Sequence, residues 1–582
     1  MNKIYKSMLL LIAATTGAVT LVSCSDDDLP AADGLFRPVI SESDNITHGL
    51  TDDNIPYMVL KWDNYTTANQ YLVKIEAQDG SDTRELTTED ITCRFDDLQY
   101  DKEYNISLQS FNTQTKLSSK PYTLTTTTLD YPTALSTPGA TDIIDTQARI
   151  KWAEGTNYTQ LKFYHDSDDE LICDTTVTDA INLVGELIIK GLNPKTSYRV
   201  EAYVDGAYRG KKKFTTVASE NYEGVVFDLR EMDDSEGSKY ITTDQLAIDV
   251  AENPDQDITY VLTGGLEYRI SGGTKIPKTT GKVKFVTGLT LAGNAIFRQT
   301  GGWAINAGED VEALEFEKID IISDKAQEGG GYEIATNTDK GFGGRQVFNI
   351  NGVKATLSNL TFKSCSMTGF RALVRGQGDG DNVSNITLDD CVINGIGDQG
   401  VFTTTNKDED WKSITMRNCT VTNIVMLCDL RKTTGTLKFT IENCTFCYAP
   451  IETTANANTP MFRLGSGNVD LSVKTTLFGP SLATENSGGS KLITYTAGVA
   501  GSIFLSGTPA NLDVQDSYKT NFTWTDRNTT GEGDPLVNPL DGLVDLPLSE
   551  TQLWKDPSKS VFTIIGSASG VDFKILGDAR WH

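Results

Sequence analysis

Histidine is nearly absent from this chain. Its 582 residues hold three, His48, His165 and His582, far apart in sequence. That scarcity removes most arrangements in which imidazole recurs as a general base or metal ligand. Basic residues are also short: 51 Lys and Arg stand against 79 Asp and Glu, a formal net charge of −28. Phosphate binding needs clusters of Lys and Arg, so nucleic acid is excluded as a partner. Other polyanions are disfavoured unless a local basic strip or a bound cation reverses the field. Long amphipathic helical patterns are missing, as are phosphate-loop and dinucleotide signatures. Cys444 and Cys447 are the one close cysteine pair of their region, and no histidine stands near them to complete a zinc site. Beyond the first 24 residues no apolar stretch reaches membrane length.

What is present is a recurring phrase. NLTFKSC (359–365), NITLDDC (385–391), SITMRNC (413–419) and FTIENC (439–444) end at Cys365, Cys391, Cys419 and Cys444, in steps of 26, 28 and 25 residues. Such a period signals a repeat architecture. Inside each phrase Leu360/Phe362, Ile386/Leu388, Ile414/Met416 and Phe439/Ile441 alternate with period two, which is strand patterning. A short strand cannot bury its own apolar face, but parallel stacking of copies buries a continuous core. The fold predicted for residues 219–582 is therefore a parallel β-helix, with the cysteines stacked inward as small hydrophobes. ALEFEKIDI (313–321) reads as the rung before NLTFKSC, and the intervening insertion contains EGGGYEIATNTDKGFGGR (328–345).

Residues 35–128 and 129–218 repeat one plan. MVLKW ends at Trp62 and ARIKW at Trp152; Leu98 precedes Tyr104 by six residues, as Leu192 precedes Tyr198. These features resemble fibronectin type III domains, β-sandwiches in which the Trp fills the core and the Tyr makes a corner hydrogen bond. The whole is all-β: two fibronectin type III-like sandwiches, read as a stalk, followed by a right-handed parallel β-helix.

Residues 1–24 pair a basic start, MNKIYK, with an apolar run and end in LVSC. This resembles a lipoprotein signal peptide, which implies acylation of Cys24. Ser25-Asp26-Asp27-Asp28 opens an acidic tether (25–34) and resembles the export signal of Bacteroidetes surface lipoproteins. The expected location is the outer membrane, lipid-anchored and facing the cell exterior. The C-terminal part, through its rung phrases, FRALVRGQG (370–378) and GDARW (577–581), resembles two domain families of unknown function in Bacteroidetes with a pectin-lyase-like right-handed β-helix. The family tail more often reads GDPRW, so Ala579 departs from it. The resemblance implies a role beside polysaccharide-utilisation machinery, with an outer-membrane uptake complex as partner.

A second strand in each rung gives ALVRGQ (372–377), VFTTTN (401–406), CDLRKT (428–433) and MFRLGS (461–466). Aligned, they place Arg375, Thr403, Arg431 and Arg463 in one row, with Arg371, Lys432 and Asp429 beside it. Arg binds carboxylate through two parallel hydrogen bonds, so the row is the expected site for a uronate-containing plant cell-wall polysaccharide. Pairing of these arginines with Asp389, Asp390 and Asp429 is the alternative reading of the same residues. A pectate-type lyase acting by β-elimination would use an arginine base and a cation, usually Ca²⁺ on carboxylates. No tight acidic cluster or lyase motif marks that site, and the catalytic residues and metal stay unassigned. Hydrolysis would need opposed carboxylates such as Asp379/Asp381 or Asp389/Asp390. A surface adhesin is the third reading. Trp303, Tyr332, Trp411 and Trp524 are read as rung caps or loop anchors, or as stacking platforms for sugar rings.

Overall fold

The structure, a computed structural model, describes residues 34–230, 232–271, 273–324, 346–406, 408–452, 460–465, 467–485, 494–496, 505–507, 509–522 and 540–582. Cys24, the acidic tether, Tyr332, Trp524 and the segment 328–345 lie outside the described residues. The chain divides into two compact units, one of residues 1–137, 150–187 and 197–214, the other of 138–149, 188–196 and 215–582.

Two fibronectin type III-like sandwiches come first. In one, the antiparallel strands Ile46–Leu50, Pro56–Lys61 and Thr92–Phe95 form one sheet. Thr83–Thr88, Gln70–Ala77, Glu103–Asn112, Leu117–Ser118 and Tyr122–Thr127 form the other. Trp62 is buried edge-on to Tyr71, with ring centroids 5.3 Å apart. Tyr104 is buried; its hydroxyl donates to Asp82 at 2.9 Å, and the Gln99 N–H approaches it at 3.5 Å. In the second sandwich, Leu171–Thr176, Gln160–His165, Ser197–Val204 and Ala207–Thr215 make a four-stranded sheet. Trp152 and Tyr198 are buried, as their sequence context requires.

A parallel β-solenoid follows. One face is a ladder of ten parallel strands, from Val225–Asp228 to Asn511–Gln515. Each of the four cysteine phrases lies on one of its rungs, and their alternating apolar residues point inward. Their register builds one inner column: Phe227, Tyr260, Phe285, Phe316, Phe362, Leu388, Met416, Ile441, Val473 and Val514. Its first five members are rings, stacked at 5.2, 5.0, 5.6 and 5.0 Å with tilts of 17° or less. In-register strands bring identical positions about 4.8 Å apart, which suits ring stacking. Strand Asp310–Glu317 pairs with Thr356–Lys363, so these two are neighbouring rungs.

The cysteines stand just past the corner of each rung. The preceding residue is left-handed every time: Ser364, Asp390, Asn418 and Asn443 have φ of 51°, 57°, 52° and 52°. Asn and Asp enter that region at least cost among residues with a side chain. Each buried thiol donates back to the carbonyl two residues earlier, at 3.4, 3.4, 3.0 and 3.2 Å. Thr476 and Ser517 continue the column after Thr475 and Asp516 and make the same bond at 2.8 Å. The recurring element is thus a small donor that adds a second bond to a corner carbonyl already holding a backbone N–H from the neighbouring rung, and cysteine is one way to supply it. Burial raises the Cys365 thiol to about 12 and pushes the Cys391 and Cys444 thiols up, so all three stay protonated.

Helix Thr243–Glu252, capped by Thr242, packs Leu246 into the solenoid core. Its buried Asp249 accepts from the Tyr260 hydroxyl at 2.6 Å and from Gln245 at 2.8 Å. At the other end of the chain GDARW is a clasp. Asp578, buried, accepts from the Thr420 hydroxyl at 2.7 Å and pairs with Arg580, which reaches Asp390. Trp581 donates to Thr420 at 2.7 Å, and the Asp578 N–H donates to Thr445 at 3.0 Å.

Candidate functional site

The second sheet carries the expected row, with one correction. The register runs Asn349, Arg375, Thr403, Asp429, Arg463. Arg431 is not in it; Asp429 holds that place. The coil from Thr403 to the row position is two residues shorter than the one before it, so equal spacing overshoots. Arg431 instead occupies the turn after strand Cys428–Asp429 and folds back on Asp429, with Nε at 2.8 Å and Nη2 at 2.7 Å from its oxygens. Arg463 approaches the same carboxylate at 3.3 Å. One largely buried acid therefore faces two guanidinium groups.

A bulge positions the next pair. Phe370 faces Ile396 and Ala372 faces Gly400, so two extra residues protrude from strand Val392–Thr404. They bring Asp398 to Arg371, which it holds bidentately at 2.8 and 3.1 Å. Gln399 beside it accepts from Gln346 at 2.8 Å, and Asn349 donates to Gln377 at 3.0 Å.

Arg375 differs from these. Its Nε is buried without a hydrogen-bond partner. Burial and the neighbouring Arg371 charge lower its pKa, opposed by Glu409 and Asp398. Beneath it lie two fully buried carboxylates at equivalent corners of adjacent rungs. Asp381 accepts from Gly378 N–H at 2.6 Å and Ala355 N–H at 3.3 Å. Glu409 accepts from Thr405 and Asn406 N–H at 3.1 and 2.8 Å through Oε1, while Oε2 has no partner. Burial raises Asp381 to about 6 and Glu409 to about 7. Both carboxylates hold turns from inside. Neither stands open to a substrate or a shared cation.

Trp303 and Trp411 are fully buried in the solenoid core and offer no ring to a sugar. Asp389 pairs with Arg417 at 3.0 Å, and Asp390 belongs to the clasp. Lys432 is exposed at the turn beside Arg431.

No family model matches the chain, and no curated protein matches it. Solved structures do. The FN1–FN3 domains of chicken CNTN1 are 16% identical, over 32% of this chain and 69% of that one, with a TM-score of 0.15. A two-domain fibronectin type III segment of chicken tenascin is 17% identical, over 30% of this chain and all of that one, with a TM-score of 0.15.

Three features of the site escaped sequence reasoning. Glu409 looks like one more surface acid in KDEDW, although its spacing of three from Asn406 is that of a side chain closing a turn. Gly378 and Asp381 share that spacing. The bulge that delivers Asp398 leaves only the glycines of INGIGDQG as a trace.

Proposed function

We propose that this protein is a surface lipoprotein, anchored through Cys24, that binds a uronate-containing plant cell-wall polysaccharide on the second sheet of the solenoid. There it holds the chain for degradation and uptake by partner proteins. The observation that carries the reading is Arg375. Arg371 and Arg431 each hold a carboxylate bidentately, and Arg463 shares Asp429. Arg375 holds no carboxylate by ion pair among the described residues, and its Nε is unpartnered in a partly buried position. A sugar carboxylate would complete it with two parallel bonds in a low-dielectric setting, where such bonds are strongest. Asn349 and Gln377 beside it, both half-buried, supply neutral donors and acceptors for hydroxyl groups, while Thr403 in the row is buried. Successive rungs repeat about every 4.8 Å, so an extended chain along the row meets more than one rung.

A lyase is the second reading, because burial and Arg371 move the Arg375 pKa in the direction a base requires. Electrophoresis through a polygalacturonate gel and absorbance of an unsaturated product separate the two. Binding predicts retardation that Arg375→Ala abolishes, with a flat absorbance trace. A steady rise lost in Arg375→Ala would make the protein a lyase. Unchanged migration of the wild-type protein, together with a flat trace, would sink both.

A further inference from the structure

The hairpin joining Gln160–His165 to Leu171–Thr176 reads His165-Asp166-Ser167-Asp168-Asp169-Glu170. The His165 N–H donates to the Glu170 carbonyl at 2.9 Å, and the Glu170 N–H donates to Asp168 Oδ1 at 3.1 Å. The hairpin therefore turns three side chains toward one point. His165 Nδ1 lies 3.5 Å from Glu170 Oε2 and 3.9 Å from Asp168 Oδ1. The three ligating atoms all lie within 4.8 Å of one another.

These separations are too long for N–H···O hydrogen bonds, which run about 2.7–3.2 Å. They suit donors around an ion: ligands about 2.0–2.2 Å from a tetrahedral Zn²⁺ stand roughly 3–4 Å apart. The other two acids of the hairpin are already paired, Asp166 with Lys213 at 2.9 Å and Asp169 with Arg199 at 2.6 Å. Among the described residues no Lys or Arg pairs with Asp168 or Glu170. The imidazole is held by Tyr198, ring centroids 5.1 Å apart, which keeps Nδ1 aimed at the two carboxylates. Asp168 and Glu170 are 59% and 67% exposed, so an ion reaches the hairpin from solvent.

We infer that His165, Asp168 and Glu170 form a site for a divalent transition metal of the Zn²⁺ type on the second sandwich. One nitrogen and two oxygens suit that class, whereas Ca²⁺ and Mg²⁺ take oxygen donors. Three protein ligands leave a position open for water or for a donor from another molecule.

Titration calorimetry of Zn²⁺ into the full chain tests the site, with Co²⁺ absorption reporting the donor set. One equivalent should bind. Asp168→Asn with Glu170→Gln should weaken binding by more than the roughly 10–100-fold that loss of an outer-shell partner costs. His165→Gln should do the same, with circular dichroism unchanged in both variants. Absence of Zn²⁺ binding by the wild-type chain, or equal affinity in the Asp168/Glu170 variant, overturns the inference.

Discussion

Glu409→Gln probes the interior beneath the row. Glu409 is fully buried, and its pKa rises from 4.5 to about 7. The folded state then keeps a proton that the unfolded state releases. The stabilisation is complete below the unfolded pKa and is lost as pH rises through the folded one. That rise in pKa corresponds to about 3 kcal/mol, of which about 2 kcal/mol falls between about pH 5.5 and 8.5. Gln keeps the oxygen that accepts from Thr405 and Asn406 but does not titrate. Its NH₂ replaces the unpartnered Oε2 and costs about 1–3 kcal/mol, equally at both pH values. The change in stability on mutation, measured by urea unfolding, should therefore be more favourable by about 2 kcal/mol at about pH 8.5 than at about pH 5.5. The differences cancel the carboxylates of this acidic chain that do not interact with Glu409, which excludes Asp381. Parallel pH profiles for the two proteins would refute the account of Glu409 as a buried carboxyl that keeps its proton on folding.

Gly376→Ala should destabilise the solenoid by about 1–3 kcal/mol, because the new Cβ would lie 2.3 Å from Glu409 Oε2; a double-mutant cycle with Glu409→Ala should show rescue by thermal unfolding. Cys391→Thr should be tolerated within about 1 kcal/mol, since a hydroxyl already fills this column at Thr476, whereas Cys391→Val removes the second bond to the Asp389 carbonyl, which keeps the Ser364 N–H at 2.9 Å, and should cost about 1 kcal/mol more in urea. Phe316→Ala breaks the ring stack between Phe285 and Phe362 and should cost about 3–5 kcal/mol by the same measurement.

The solenoid was legible because its signal is strictly local. Alternation in NLTFKS or NITLDD names the buried residues directly, and the similar steps between cysteines, 26, 28 and 25 residues, name their neighbours. The corner was legible too, but its meaning was not. Ser364, Asp390, Asn418 and Asn443 stand before every cysteine in the quoted phrases, yet alternation alone makes them strand residues rather than the left-handed turn that redirects the chain. The row failed at Arg431 because register across rungs depends on coil length, and coils here vary by several residues; a two-residue slip keeps the face and loses the partner. Trp303 and Trp411 sit among polar neighbours in TGGWAIN and DEDWKS, but each points inward, Trp411 opposite Val383 in the ladder. The helix Thr243–Glu252 went unread because its ten residues make fewer than three turns and its cap, Thr242, is followed by a second threonine.

The most direct test of the proposed function is calorimetric titration of oligogalacturonate into the wild-type chain and into Arg375→Ala. The account expects saturable binding by the wild type and a loss of about 1.5–3 kcal/mol, roughly 10–150-fold in affinity, in the variant, the value of a charge-assisted hydrogen bond. Equal affinity in the two proteins would contradict it.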